Sequence, residues 1–167
     1  MNARIEETYF TDGTLEHRCY YNNNNVLHRE DGPAQESFYK NGALEVRVWR
    51  KHGKIHSEDG PAEEWFSRAG ICMSRRWCIN GQIHREDGPA NEIYYKNGAP
   101  QHFAWYIYDK AHREDGPAKE YYAPNGRCTN ALYYLDEEKS PSKKEHQRRV
   151  ALRSLSVKIA HNEVVLL

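Results

Sequence analysis

Four histidines, each followed three residues later by an aspartate, are the residues of this chain best suited to chemistry. They are His28 and Asp31, His56 and Asp59, His84 and Asp87, and His112 and Asp115. Each pair lies in one heptapeptide: His28-Arg29-Glu30-Asp31-Gly32-Pro33-Ala34, His56-Ser57-Glu58-Asp59-Gly60-Pro61-Ala62, His84-Arg85-Glu86-Asp87-Gly88-Pro89-Ala90 and His112-Arg113-Glu114-Asp115-Gly116-Pro117-Ala118. An imidazole with two carboxylates suits three tasks. It can move protons as a general acid and base. It can hold zinc or calcium. It can also build a corner, in which Asp accepts backbone N–H groups as an Asx turn and Pro opens a strand where its missing N–H is tolerated. In that corner the His ring packs on the neighbouring unit, its N–H held by the Asp or by a Glu36-type carboxylate.

Repetition decides among them. Catalysis needs one asymmetric constellation in a pocket. A residue kept in all four copies is one that every unit needs in order to fold and stack. The motif is therefore expected to be structural, with no catalytic residue, no metal and no cofactor. No Gly-rich phosphate loop, nucleophile elbow or further carboxylate pair stands outside it.

The copies are 28 residues apart, a period that marks a repeat architecture. Gly42, Gly70, Gly98 and Gly126 share it, and Asn41, Asn97 and Asn125 precede three of them. Asn-Gly between alternating apolar and polar residues is a hairpin signal. The spacing predicts first strands at 34–40, 62–68, 90–96 and 118–122. Second strands are expected at 44–51, 72–79, 101–107 and 128–135. A second turn follows at His52-Gly53, Asn80-Gly81 and Tyr108-Asp109. On the first strands one face is constant: Ala34, Glu36 and Phe38 recur by type. Tyr21, Trp49, Trp77, Trp105 and Tyr133 form a column that stacked hairpins would bring together as a ring ladder.

Residues 1–27 resemble a partial repeat, with Asn22–Asn25 as a loop, and act as an N-terminal cap; residues 28–139 are the repeats. The fifth copy fails at Ser140-Pro141-Ser142. Ser142 and Glu145 form a helix start, and Ala151, Leu152, Leu155 and Ile159 share one side of a helix over 143–160. In the 140–167 segment this stripe is expected to cover the last hairpin and its open edge, or to dock a partner or a second copy. The tail Val164-Val165-Leu166-Leu167 is apolar.

Lys plus Arg and Asp plus Glu both number 24, for a net charge of zero. Nucleic acid or an anionic membrane needs clustered positive charge, so neither is expected as a partner. No leader or membrane span is visible. Cys19, Cys72, Cys78 and Cys128 have no metal or disulfide spacing and read as reduced thiols of a cytoplasmic protein.

The unit Asn80-Gly81-x-Ile83-His84-Arg85-Glu86-Asp87-Gly88-Pro89-Ala90, then Glu92, Tyr94-Tyr95-x-Asn97-Gly98 and Trp105-Tyr106, resembles the MORN-type repeats in a longer variant. The resemblance spans about residues 8–136. It implies a mainly β fold, an elongated single antiparallel sheet of stacked hairpins with a C-terminal capping helix. It also implies scaffolding and protein binding, in a protein like those of bacteria, phages and large viruses. A viral protein of this kind would bind and inhibit a host defence protein in the host cytoplasm. The alternatives are an assembly scaffold or a homodimer through the C-terminal helix, and then a metal- or ligand-binding repeat.

If the constant residues serve the fold, recognition lies where the copies differ. The candidates for protein binding are Trp65, Arg75, Arg76, Ile93, Tyr95, His102, Tyr106 and Tyr121. Aromatic residues and Arg dominate protein interfaces.

Overall fold

A computed structural model describes residues 4–164, with side chains through Val157. In chain order the elements begin with β1 (Arg4–Tyr9), β2 (Leu15–Tyr21), β3 (Gln35–Phe38), β4 (Leu44–Val48), β5 (Arg50–Lys51) and β6 (Lys54–Ile55). Next come β7 (Glu63–Phe66), β8 (Cys72–Arg76), β9 (Cys78–Ile79), β10 (Gln82–Ile83), β11 (Asn91–Tyr94) and β12 (Pro100–Ala104). The last are β13 (Tyr106–Ile107), β14 (Lys110–Ala111), β15 (Lys119–Tyr122), β16 (Cys128–Leu135), β17 (Glu138–Ser140) and the helix α1 (Lys143–Val164). Eleven strands form one open antiparallel sheet, in the order β1-β2-β3-β4-β7-β8-β11-β12-β15-β16-β17. The fold is the expected single sheet of hairpins followed by one helix.

Each repeat contributes two hairpins of different size. The large one turns at the Asn-Gly positions. Gly42 has φ 79°, Tyr39 N–H bonds Ala43 O at 2.8 Å, and the Asn41 carboxamide accepts Ala43 N–H at 3.2 Å. The same Asn donates to Arg68 O of the next turn at 3.2 Å, and Asn97 does the same to Pro124 O at 3.1 Å, so these turns are tied in pairs. The second strand is shorter than expected. It leaves the sheet at Trp49, whose N–H still bonds Ala62 O in register with the neighbouring strand at 2.8 Å while its carbonyl accepts the His56 N–H of the small hairpin at 3.0 Å. The chain then makes a small hairpin from two-residue strands. Its turn has two positive φ values, as at His52-Gly53 (50° and 81°) and Asn80-Gly81 (53° and 89°), the twist that short hairpins favour. Successive small hairpins are stitched by Gly53 N–H to Leu27 O and Gly81 N–H to Ile55 O, both 2.8 Å.

The core is thin. Ala34, Ala62, Ala90 and Ala118 are fully buried, where a strand meets the corner. The aromatic column stands beside them, with two corrections. Its first member is Tyr20 rather than Tyr21: Tyr20 N–H bonds Ala34 O just as Trp49 N–H bonds Ala62 O, both at 2.8 Å. The four-asparagine loop shifts the phase by one. The column is also not a ring-on-ring ladder, since arginines cover three of its rings. Arg29, Arg85 and Arg113 carbons sit 4.1, 4.0 and 3.9 Å from the ring centroids of Tyr20, Trp77 and Trp105.

The helix caps the sheet by polar contacts of its first turns. Ser142 Oγ accepts the Glu145 N–H at 3.2 Å, while the Glu145 carboxylate pairs with Arg148 at 3.4 Å instead of closing a box. His146 is buried, its ring 5.2 Å from that of Tyr133. Arg149 pairs with Glu138, and Arg153 with Asp136. The apolar stripe does not cover the last hairpin as expected: Ala151 is exposed, and Leu152 and Leu155 are 51% and 55% exposed. Polar anchors hold the helix root, and from Ala151 to Val157 every residue is exposed, so no side of the helix is covered there. The side chain of Ile159 and residues 165–167 of the tail lie outside the described residues. Residues 128–130 of β16 are likewise exposed, so this edge is open.

Candidate functional site

The repeated motif folds as a corner that fastens one unit to the next. His28 Nδ1 accepts the backbone N–H of His52 at 3.2 Å, His56 that of Asn80 at 3.1 Å, and His112 that of Asp136 at 3.2 Å. His112 Nδ1 also lies 2.9 Å from Asp136 Oδ1, a contact that calls for a proton there, but at His28 and His56 the accepting Nδ1 carries none, so the proton sits on Nε2. That nitrogen faces the motif glutamate two residues on, at 3.7 Å for Glu30 and 3.1 Å for Glu58. The expected clasp by Asp or a Glu36-type carboxylate is thus replaced. The ring needs an N–H donor, and the positive-φ turn of the next small hairpin offers one.

The aspartates do not make the expected Asx turns either. Asp31, Asp87 and Asp115 accept the Nε–H of Arg29, Arg85 and Arg113 at 2.8, 2.8 and 2.7 Å. These guanidinium groups hold each carboxyl below the usual carboxylate range. A charged, bidentate-capable donor outcompetes a neutral amide for a carboxylate.

The constant face of the sheet carries a row of alternating charges. Strand pairing aligns Glu7, Arg18, Glu36, Arg47, Glu64, Arg75 and Glu92 on successive strands. Arg18 bonds Glu7 at 2.7 Å, and Glu64 takes Arg47 at 2.6 Å and Arg75 at 3.4 Å. Glu64 is buried, 5% exposed, which such a group tolerates only when paired. The row ends at Phe103. Beyond Arg75, Glu92 and Glu120 are served by Arg85 and Arg113 from the corners, and each accepts a tyrosine hydroxyl at 2.6 Å, from Tyr94 and Tyr122. Burial and that bond push both phenols up.

The opposite face holds most of the variable residues. Trp65, Ser74, Ile93, His102 and Tyr121 form one row across β7, β8, β11, β12 and β15. Trp65 is 42% exposed, with its indole N–H on Glu63 at 2.7 Å. The His102 and Tyr121 rings stack at 4.4 Å. Burial lowers the His102 pKa, so the imidazole of this stack is neutral near pH 7. Arg76 lies in the neighbouring row of the same face, paired with Glu63 at 3.0 Å. Tyr106 joins its margin through Lys119, whose ammonium is 5.4 Å from the Tyr106 ring and 5.0 Å from Tyr134.

The remaining two candidates lie elsewhere. Arg75 is on the constant face, in the charge row. Tyr95 donates its hydroxyl to Tyr122 O at 2.9 Å, as Tyr39 does to Phe66 O at 2.9 Å, so it ties neighbouring turns. Lys119 and Glu63, which were not among the candidates, complete the variable face, and the arginines that fill the corners were passed over. Their signal was present: the position after the motif histidine carries Arg in three copies and Ser57 in one.

Among the described residues, no cluster of three or more His, Cys, Asp or Glu is placed to hold a metal ion, and no helix is long and apolar enough to cross a membrane. Cys78 is buried, which pushes its thiol up to about 11, far from a reactive thiolate. No protein-family model, curated protein or solved structure matches this chain.

Proposed function

We propose that this chain is a non-enzymatic, protein-binding module of the MORN-like type, and that it recognises its partner with the variable face. One observation carries the reading. The residues that differ between copies, Trp65, Ile93, His102 and Tyr121, fall in a single row, on the face opposite the repeated charge row. A half-exposed tryptophan beside a stacked His-Tyr pair, rimmed by Glu63, Arg76 and Lys119, has the make-up of an interface centre with a polar rim. The partner is a protein, and inhibition of a host defence protein by a viral one remains the specific form proposed. Affinity capture from lysate of the host cell, followed by reconstitution with the purified partner, tests it. A stable stoichiometric complex supports the reading, and the absence of any such complex counts against it.

Homodimerisation through α1 is the second reading. Leu152, Leu155 and Val157 are 51%, 55% and 58% exposed on that helix, more apolar surface than a helix facing only water needs.

A further inference from the structure

Ser57 stands where the other three corners have Arg29, Arg85 and Arg113. Those arginines fill one space in the same way. Each Nε–H bonds the motif aspartate, and each Nη1 donates to the motif proline carbonyl: Pro33 at 3.5 Å, Pro89 at 3.2 Å and Pro117 at 3.3 Å. Each guanidinium lies on an aromatic ring at 3.9–4.1 Å. Each also crowds the corner glycine, so a Cβ on Gly32, Gly88 or Gly116 would meet its carbon at 2.9 Å.

At the second corner that space is open. A Cβ on Gly60 would meet nothing within 4 Å. Ser57 is too short to reach the ring, and Asp59 has no guanidinium beside it. The indole of Trp49 lines a groove with Arg29, Ser57 and Asp59, one of a series of similar size that recurs from corner to corner, so the missing guanidinium and not the groove sets this corner apart. The nearest cation, Arg47, stops 5.1 Å from the Trp49 ring and is bonded to Glu64 at 2.6 Å.

We infer that the second corner is a receptor for an arginine side chain of a protein partner. The indole of Trp49 takes the face of the guanidinium. The Asp59 carboxylate takes the Nε–H, and the Pro61 carbonyl takes an Nη–H. The chain itself shows the bound geometry three times. A lysine ammonium is a compact, strongly hydrated charge that cannot stack flat and bond both edges at once. The site is separate from the row of Trp65 and Tyr121, and its test needs no partner, so either can fail alone.

The test follows the indole N–H signals of Trp49, Trp65, Trp77 and Trp105 by NMR, with Trp49→Phe for assignment. The probe is N-acetyl-arginine methylamide. The Trp49 signal should shift saturably at millimolar probe, while those of Trp77 and Trp105, already covered, stay in place. The lysine analogue should bind at least about tenfold more weakly. Free arginine should bind no better than the blocked form. Ser57→Arg should abolish the response and raise Tm by roughly 2–4 °C. Arg85→Ser should make Trp77 responsive. A Trp49 signal that never moves, that moves equally with the lysine analogue, or that still moves in Ser57→Arg overturns the proposal. Tighter binding of free arginine would assign the corner to an amino acid and also overturn it.

Discussion

His56 Nδ1 accepts the backbone N–H of Asn80 at 3.1 Å, across 24 residues of chain. The bond joins one corner to the turn of the next small hairpin, so neighbouring units share it. His84 breaks the pattern. Its Nδ1 is buried and without a partner, and its ring stacks on Tyr108 at 4.1 Å instead. The two histidines should therefore respond in opposite ways to a ring that cannot accept. His56→Phe should lose about 0.5–1.5 kcal/mol by urea denaturation, the usual net worth of one such hydrogen bond. His84→Phe keeps the stack and removes an unsatisfied atom, so it should be neutral or stabilising. Equal losses at both sites would contradict this account of the corner.

The charge row makes a graded prediction. Glu64→Ala leaves Arg47 and Arg75 without their shared carboxylate, and should cost about 2–3 kcal/mol in chemical denaturation. Glu36 meets Arg18 only at 3.7 Å and is less buried. Glu36→Ala should cost under about 1 kcal/mol. A row that matters only as solvated charge would show no difference between the two.

His102 sets a pH dependence. Burial lowers its pKa in the folded protein, against a smaller opposing effect of its bond to Glu120 O. The unfolded chain titrates near about 6.5, so below that pH the unfolded state binds the extra proton first. This contribution to stability is full above about pH 6.5 and is lost as pH falls through the lower folded value. In paired melts at pH 7.5 and pH 5, His102→Asn should lose less Tm on acidification than the parent. An equal loss in both would remove His102 as the cause.

The exposed stripe of α1 decides the dimer reading. If Leu152 and Leu155 join two copies, light scattering should report a dimer that Leu152→Ser with Leu155→Ser converts to monomer. Tm should barely change, because neither side chain packs on the sheet. A monomeric parent protein would remove this reading.

The 28-residue period made the strands, both sets of turns and the constant face legible, because a repeat states its own register. The exit of the chain at Trp49 was not legible. Alternation runs straight through it, and only the His56 N–H, which takes the Trp49 carbonyl into the small hairpin, shows that the strand ends there. The charge row was hidden for a related reason. Glu64 and its partners Arg47 and Arg75 are 17 and 11 residues apart, and only strand pairing sets them side by side. The variable residues could be named from the repeat, yet their union in one row depended on that same pairing, which excluded Arg75 and Tyr95. The spacing of Ala151, Leu152 and Leu155 suggested a stripe that packs on the sheet, yet α1 is exposed all round from Ala151 to Val157. His146, a single buried ring, decided how the helix docks.

The division of labour between the two faces is the central claim, and one comparison tests it most directly. Trp65→Ala with Tyr121→Ala is used as bait beside the parent protein, with Tm measured for both. The pair should melt within about 2 °C of the parent, since both side chains are partly solvated. It should retain under about a tenth of the partner, the loss expected when two interface anchors are truncated. Full partner recovery by the double variant, or a collapse of its Tm, would contradict the claim that the variable face binds and the constant face folds.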